Sequence, residues 1–107
     1  MATLSTHVLD TSRGLPASGV RVALESDAGS ALGEGVTDAD GRVSAIGPDV
    51  LAPGAYTLRF DTGAYFTRVG AAAFYPEVAV SFVVDADQHF HVPLLLSPFG
   101  YSTYRGS

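Results

Sequence analysis

The sequence predicts an all-β fold, namely an antiparallel β-sandwich of seven to eight short strands with one short helix. Apolar and polar residues alternate with a period of two along most of the chain, a pattern typical of half-buried strands. Clusters of Gly, Pro, Asp and Ser interrupt the alternation at intervals of roughly ten residues, as in β-sandwich domains. The length of 107 residues is close to the most common domain size, so residues 1–107 are expected to form a single domain.

Alternation locates the strands of the N-terminal half. A strand over residues 4–10 is interrupted by TSRGLPAS, and a second strand over residues 20–25 ends in the turn SDAGS. A weaker strand is predicted over residues 31–37 and a short one over residues 43–46. Between these two strands, DADGR is a tight turn in which Gly41 can supply a positive φ.

The C-terminal half contains the clearest strands and the candidate helix. Strands are predicted over residues 56–60, 78–84, 89–96 and 101–104. The turns DADQ and SPFG separate the last three of them. The helix is predicted over residues 61–70, with Asp61 or Thr62 as its N-cap and Gly70 at its C-terminal end.

The three histidines lie on strand faces that turn away from the expected sandwich core. In the strand over residues 89–96, the core face carries Phe90, Val92, Leu94 and Leu96. The opposite face carries His89, His91, Pro93 and Leu95. His7, in the first strand, likewise points away from the expected sandwich core. Because Pro93 has no N–H for a ladder, it marks an edge position, a bulge or a break in pairing. Such faces are candidates for subunit interfaces or for a cleft.

Composition argues against several functional classes. All six cationic residues are arginine, the formal net charge is −5, and the chain has neither lysine nor cysteine. Without a basic cluster, nucleic-acid binding is disfavoured, and lysine Schiff bases, thiolate nucleophiles and disulfides are excluded. Charged residues make up only 16% of the chain, against about 25% in typical domains. We therefore expect part of the surface to be buried in an oligomer.

The N-terminal residues MATLSTHVLD lack the charged start and apolar stretch of a signal peptide. No stretch of the sequence is long and apolar enough to span a membrane. A soluble, cytoplasmic protein with no membrane partner and no nucleic-acid partner is therefore expected.

Taken one at a time, the polar residues have ordinary structural explanations. A single strand histidine is more often a surface or packing residue than a catalytic one. His89 and His91 offer two metal ligands on one face, which leaves metal binding open as a weak alternative, since a zinc site needs more ligands. Arg42 can be a turn residue, and Tyr104 and Arg105 can be surface residues.

Taken together, however, these segments resemble one family. The stretches STHVLDTSRGLPASGVRVAL, TDADGR, FYPEVAVSFVVD and HFHVPLLLSPFGYSTYRGS are similar to the 5-hydroxyisourate hydrolases, the transthyretin-related proteins of purine catabolism. The resemblance runs nearly end to end, and the YRGS tetrapeptide is its most diagnostic part. It implies a transthyretin-like β-sandwich, a homotetramer built from two dimers, and active sites in a channel at the dimer–dimer interface. Phe90 and Phe99 depart from the family pattern, yet each keeps an aromatic ring.

The resemblance also implies the site residues. The expected catalytic set is His7 of THVLD, Arg42 of DGR, His91 before VPLL, and Ser107 of YRGS. The expected substrate-binding set is His7, Arg42, Tyr104 and Arg105, and neither a metal nor a cofactor is implied. In this hypothesis the two histidines activate water and move protons, whereas the arginines orient the substrate. Ser107 brings a hydroxyl and a terminal carboxylate to the site, and His89 is expected behind the catalytic residues or at the rim rather than in direct catalysis.

The implied reaction is the hydrolytic opening of the six-membered ring of 5-hydroxyisourate, a step of urate degradation that gives 2-oxo-4-hydroxy-4-carboxy-5-ureidoimidazoline. Imidazole suits this chemistry because its pKa lies near neutrality, and the planar arginine cation suits a carbonyl-rich heterocycle. Two alternatives remain open: a transthyretin-like small-molecule or hormone carrier without catalysis, and a structural sandwich module. The hydrolase histidines and the YRGS end favour the enzyme, because transthyretins lack them.

Overall fold

The structure, a computed structural model that describes residues 2–107, consists of two β-sheets and one short helix. In chain order the elements are β1 (Thr3–Asp10), β2 (Leu15–Pro16), β3 (Arg21–Ser26), β4 (Ala31–Val36), β5 (Arg42–Val43), β6 (Gly54–Phe60), α1 (Thr62–Val69), β7 (Val78–Val84), β8 (His89–Ser97) and β9 (Gly100–Thr103). The first sheet has the order β2-β1-β8-β9, with β5 also paired to β1, and the second has the order β4-β3-β6-β7. Within residues 2–107, no helix is long and apolar enough to cross a membrane.

The expected antiparallel sandwich is confirmed, with one parallel pair at the centre of the first sheet. β1 and β8 run parallel from Thr3 opposite His89 to Asp10 opposite Leu96. The pairs of all the other named strands are antiparallel. Because β8 occupies one edge of β1, the short strands β2 and β5 share its other edge. This arrangement places the start of the chain beside the histidine-containing strand β8.

Alternation located all the long strands, but two short elements differ from expectation. β2 lies in the segment that was expected only to interrupt the first strand. Of the strand predicted over residues 43–46, only Val43 belongs to β5, which begins one residue earlier at Arg42. Its continuation still contacts β1, since the Ile46 N–H donates to the Leu4 carbonyl at 3.0 Å. Two-residue strands contain no period that alternation could detect, which explains both differences.

The sandwich core is formed by the inward-facing residues of the two sheets. In the second sheet, Leu24, Leu58 and Val80 lie opposite one another across three neighbouring strands. In the first sheet, the core face predicted for β8 is buried, as are Leu4 and Val8 of β1. Burial of each large apolar side chain contributes about 1.5–3 kcal/mol, so these two faces hold the sheets together.

The predicted helix is confirmed as α1. Asp61 is its N-cap, with a side chain that accepts a hydrogen bond from the Ala64 N–H at 3.3 Å. Gly70 ends the helix with a φ of 77°, a conformation that glycine adopts without strain. Tyr65 is buried, and its hydroxyl donates to the buried carboxylate of Asp10 at 2.7 Å. This bond ties the helix to the end of β1.

Candidate active site

The parallel pair of β1 and β8 builds a polar surface on the outer side of the first sheet. Ser5 of β1 lies beside His91 of β8, and His7 lies beside Pro93. Val92, between the two β8 residues, is buried in the sandwich core. Because neighbouring side chains of a strand point to opposite faces, the polar residues turn away from the core. None of the three histidines belongs to the buried core, as expected.

The turn before β5 places Arg42 opposite His7. Gly41 has a φ of 76°, as the tight-turn prediction proposed, and its carbonyl accepts from the Val8 N–H at 2.7 Å. A Cβ on Gly41 would lie 2.3 Å from the Val8 carbonyl oxygen, so only glycine fits. The Asp38 carboxylate accepts from the backbone N–H of Arg42 at 2.9 Å. That bond is the main reason that the pKa of Asp38 lies below its ordinary value.

The end of the chain returns to β8 after a break in pairing. β9 pairs with β8 from Leu94 onward, and on the far side of Pro93 an isolated bridge joins Gly106 to His91. A break at Pro93 was one of the predicted alternatives. The Gly106 N–H donates to the His91 carbonyl at 2.9 Å. This contact brings Ser107 to the polar surface.

A cleft with a volume of about 260 Å³ opens on this surface. Residues of β1, β5, β8 and the chain end line it, namely Ser5, Thr6, Arg42, Val43, Ser44, His89, His91 and Ser107. The structure thus brings together Arg42, His91 and Ser107, three of the four residues expected to be catalytic. The three residues come from segments that lie far apart in the sequence.

His7, the fourth expected catalytic residue, borders the cleft rather than lining it. Its Nε2 atom lies 2.8 Å from the carbonyl oxygen of Asp40. Since a carbonyl can only accept, this nitrogen carries the hydrogen. The His7 ring is therefore held by the same turn that positions Arg42. In addition, the charge of His7 contributes to lowering the pKa values of Asp38 and His91.

The pKa of His91 lies below its ordinary value of 6.5. Partial burial of the ring is the largest cause, followed by the positive charges of Arg42, His7 and His89. A hydrogen bond to the backbone of Ser5 acts in the opposite direction and favours the protonated ring. The net effect keeps the imidazole neutral at neutral pH, the form that can accept a proton.

Within this chain, Tyr104 and Arg105 lie outside the cleft. They line an adjoining groove together with Ser81, Phe82, Val83, Phe90, His91, Val92 and Thr103. The guanidinium carbon of Arg105 lies 4.7 Å from the centre of the Phe90 ring, within the range of cation–π attraction. Because His91 lines both spaces, the groove and the cleft are neighbours.

The structure adds Thr3 and Ser5 to the site, and it shows that His89 contacts both of these residues. The Ser5 hydroxyl lies 2.8 Å from His89 Nε2 and 2.7 Å from His91 Nδ1. His89 also lines the cleft, whereas the sequence suggested a position at the rim or behind the catalytic residues. Alternation alone puts Thr3 and Ser5 on the face of His7, so a signal for them existed. The sequence could not show that these two residues contact His89 and His91, because that requires knowing that β1 and β8 are neighbours.

The functional groups of the cleft are imidazole, guanidinium and hydroxyl. In the part of the chain that the structure describes, no group of three or more His, Cys, Asp or Glu residues is arranged to hold a metal ion. The arrangement can bind a planar polar molecule, stabilise negative charge and exchange protons.

Comparison with known proteins identifies the family. Residues 4–106 match the model of the HIUase/Transthyretin family. The 5-hydroxyisourate hydrolase of Salmonella dublin is 50% identical over 109 residues, which cover 97% of this chain and 80% of that protein. The structure of Klebsiella pneumoniae 5-hydroxyisourate hydrolase matches with a TM-score of 0.91 at 45% identity, covering 98% of this chain and 99% of that chain. Sea bream transthyretin in complex with thyroxine gives a TM-score of 0.87 at 33% identity, covering 96% and 93% of the two chains. The transthyretin-like fold is thereby confirmed, and the chain belongs to the HIUase/Transthyretin family.

Proposed function

We propose that this protein hydrolyses 5-hydroxyisourate in urate degradation and releases 2-oxo-4-hydroxy-4-carboxy-5-ureidoimidazoline. One observation carries the proposal. Arg42, His91 and Ser107 converge in one polar cleft, on a chain that is 50% identical to a 5-hydroxyisourate hydrolase. Imidazole and guanidinium groups are suited to the hydrolysis of a cyclic amide, because they transfer protons and stabilise an oxyanion.

The reaction is the addition of water to an acyl carbon that is bonded to a ring nitrogen. As the water oxygen bonds to this carbon, water loses a proton and the carbonyl oxygen becomes an oxyanion. Collapse of the tetrahedral intermediate breaks the C–N bond, and the departing nitrogen takes up a proton. The site must therefore supply a base, an acid and a stabilising positive charge.

His91 and His7 are assigned to the proton transfers. The lowered pKa of His91 supports this role, because a neutral ring is needed to accept a proton from water. Nε2 of His7 donates to the Asp40 carbonyl, so Nδ1 is the nitrogen that is left to exchange a proton. Positioned acid–base groups contribute about 10²–10⁴-fold to a reaction rate.

Arg42 and Ser107 are assigned to binding the substrate and its oxyanion. The turn fixes the backbone of Arg42 through the Asp38 carboxylate, and the residue lines the cleft. Its planar cation can hydrogen-bond neighbouring carbonyl groups and attract the negative charge of the intermediate. Ser107 lines the same cleft, and its hydroxyl is assigned a hydrogen bond to the substrate.

The working enzyme is assigned as a homotetramer of two dimers, in which a second subunit completes each site. Two observations support this assembly. Tyr104 and Arg105 line a groove beside the cleft rather than the cleft itself. In addition, the cleft of one chain, at about 260 Å³, is smaller than the roughly 300–1,000 Å³ of typical ligand sites. Contact between subunits would enclose the cleft and bring further side chains to it.

A carrier function is the second candidate, and the likeness to sea bream transthyretin in complex with thyroxine favours it. Sites for small organic ligands are lined mainly by hydrophobic and aromatic side chains. The cleft of this chain is lined instead by imidazole, guanidinium and hydroxyl groups. This polar lining supports hydrolysis over transport.

An assay coupled to uricase tests the proposal directly. Uricase acting on urate generates fresh 5-hydroxyisourate, and its ultraviolet absorbance is followed with and without the protein. We expect a decay far faster than the spontaneous one. His7→Ala and His91→Ala should each lower kcat by about 10²–10⁴-fold while the circular dichroism spectrum stays unchanged.

Ser97→Ala is a matched control for these variants. Ser97 ends β8, and its hydroxyl donates to the Gly100 carbonyl at 2.9 Å, far from the cleft. This variant should retain the wild-type rate. If wild-type protein leaves the decay at its spontaneous rate, hydrolysis is refuted and the carrier function becomes the better explanation. Wild-type turnover in His91→Ala would instead refute the assigned role of that residue.

A further inference from the structure

A continuous chain of side-chain hydrogen bonds runs between β1 and β8 and ends on His91. The Thr3 hydroxyl lies 2.5 Å from His89 Nδ1, and the Ser5 hydroxyl lies 2.8 Å from His89 Nε2. The same Ser5 hydroxyl lies 2.7 Å from His91 Nδ1. Both nitrogens of His89 and one nitrogen of His91 are therefore occupied. We call Thr3, His89 and Ser5 the orienting triplet.

The hydrogen count of Ser5 restricts how this chain can be arranged. A serine hydroxyl has one hydrogen, so it donates to one of its two imidazole neighbours and accepts from the other. If it donates to His91, the hydrogen of the neutral His91 ring moves to Nε2. If it accepts from His91, the hydrogen stays on Nδ1 and the lone pair of Nε2 is free. The direction of the chain therefore decides whether His91 presents a base or an acid.

The proposed hydrolysis favours the second arrangement. Nδ1 of His91 faces the Ser5 hydroxyl at 2.7 Å, so the lone pair that accepts a proton from water must be that of Nε2. Only hydrogen on Nδ1 leaves this lone pair free. The Ser5 backbone, which acts to raise the pKa of His91, supports the same placement of the hydrogen.

The surroundings of the ring leave the other nitrogen available. The backbone of Gly106 lies against the Cδ2 side of His91, because a Cβ there would be 2.6 Å from this atom. Nδ1 is held by Ser5, and His91 lines the cleft. Nε2 is the remaining polar atom of the ring.

We propose that the orienting triplet fixes His91 in the tautomer with hydrogen on Nδ1, so that Nε2 is the general base of the site. In this arrangement His91 Nδ1–H donates to Ser5, the Ser5 hydroxyl donates to His89 Nε2, and His89 Nδ1–H donates to Thr3. Both imidazole N–H groups and the Ser5 hydroxyl hydrogen then have an acceptor. When Nε2 takes a proton from water, no other proton has to move. Thr3, Ser5 and His89 are positioning residues, and this inference rests on the proposed hydrolysis.

Paired substitutions at Ser5 and His89 test the proposal kinetically. Ser5→Ala removes the acceptor of Nδ1–H, whereas Ser5→Thr keeps a hydroxyl. His89→Phe removes both ring nitrogens, whereas His89→Gln keeps a polar atom near the position of Nε2. We expect Ser5→Ala and His89→Phe to lower kcat by about 10–100-fold, by analogy with the loss of the hydrogen-bond partner of a metal-bound histidine. KM should stay nearly constant, and the conservative variants should recover most of kcat.

The tautomer itself gives a readout that does not depend on activity. Long-range ¹H–¹⁵N spectra of the resting protein distinguish the protonated from the unprotonated ring nitrogen. We expect His91 to carry hydrogen on Nδ1 in the wild type and in Ser5→Thr. In Ser5→Ala and His89→Phe, the ring should shift toward the form with hydrogen on Nε2. Ser97→Ala is the control and should leave both the spectrum and kcat unchanged.

The possible outcomes distinguish the positioning proposal from the proposed hydrolysis. Hydrogen on Nε2 of wild-type His91 overturns the inference, and so does a wild-type kcat in Ser5→Ala. A raised KM with unchanged kcat would make Ser5 a substrate contact, which also overturns the positioning role. The expected tautomer in a protein that fails to hydrolyse 5-hydroxyisourate would refute the proposed function alone. His89 is exposed, so its variants keep the test valid should Ser5→Ala fold poorly.

Discussion

His89 and His91 lie on the same face of one strand, but their surroundings differ. His89 is exposed, whereas His91 is partly buried beside Ser5 and Gly106. The backbone of Gly106 lies against the Cδ2 side of the His91 ring, and Ser5 contacts its Nδ1, so the ring is held from two sides. A ring that is fixed in this way loses little conformational entropy when substrate binds, which is the basis of preorganised catalysis.

The pKa of His91 provides a residue-scale prediction. Partial burial lowers this pKa most, and the charge of Arg42 is the next cause. Arg42→Gln should therefore raise the pKa of His91 toward 6.5 without reaching it, because burial remains. A proton NMR titration of the His91 ring measures this shift. In the wild type, the neutral ring that accepts a proton is the majority form above the lowered pKa, so kcat/KM should rise with pH through a midpoint below 6.5.

Arg21→Gln is the control for this titration. Arg21 is an exposed arginine of β3 in the other sheet, and it pairs with Glu34 at 3.3 Å. Its replacement should leave the pKa of His91 unchanged, because exposed charges at a distance are screened by salt. A pKa that stays constant or falls in Arg42→Gln would contradict the electrostatic account of the cleft.

At the scale of the elements, the return of the chain end to β8 connects the fold to the site. Gly106 occupies a position without room for a side chain. A Cβ would lie 2.6 Å from His91 Cδ2 and 3.1 Å from Pro93 Cγ. The proline ring is rigid, and the histidine ring is held by Ser5, so neither atom can yield easily. The bridge therefore requires glycine.

Gly106→Ala should lower kcat by at least about tenfold, since a displacement of roughly 1 Å in a catalytic group can cost 10²-fold. The melting temperature should change little, because Gly106 makes no part of the buried apolar core. Gly100→Ala is the matched control in the same part of the chain, since its Cβ would meet only Ser97 Oγ at 3.7 Å. Turnover and thermal melting of the two variants are compared. Wild-type turnover in Gly106→Ala would show that the bridge does not position His91.

The sequence predicts an element when the residues that indicate it lie close together in the chain. Alternation found the long strands, and local cap residues found α1, because both signals lie within one element. The parallel pairing of β1 with β8 was not predicted, since it joins segments more than eighty residues apart. For the same reason the sequence could not connect Ser5 to His89 and His91. Resemblance to a family supplied His7, Arg42, His91 and Ser107, but the contacts among these residues require the fold.

At the scale of the whole molecule, the low content of charged residues corresponds to apolar side chains that are exposed at the edges of the two sheets. Val83 is 63% exposed on β7, an edge strand of the second sheet. Phe99 is 70% exposed beside β9, an edge strand of the first sheet. Unpaired edges that carry apolar side chains are ready to associate with another chain. We therefore place the subunit contacts of the proposed tetramer along these edges.

Val83→Arg tests this assembly. Val83 lines the groove that contains Tyr104 and Arg105, so a second cation there would repel Arg105 and hinder the burial of the edge. We expect the wild type to have about four times the mass of one chain in size-exclusion chromatography with light scattering, and Val83→Arg to have a smaller mass. The activity per chain should fall in parallel, since a second subunit completes the cleft in the proposed tetramer. Val36→Arg is the matched control, because Val36 is 55% exposed on β4 at the opposite edge of the same sheet. A wild-type monomer with full activity would contradict the shared site, since each cleft would then work within one chain.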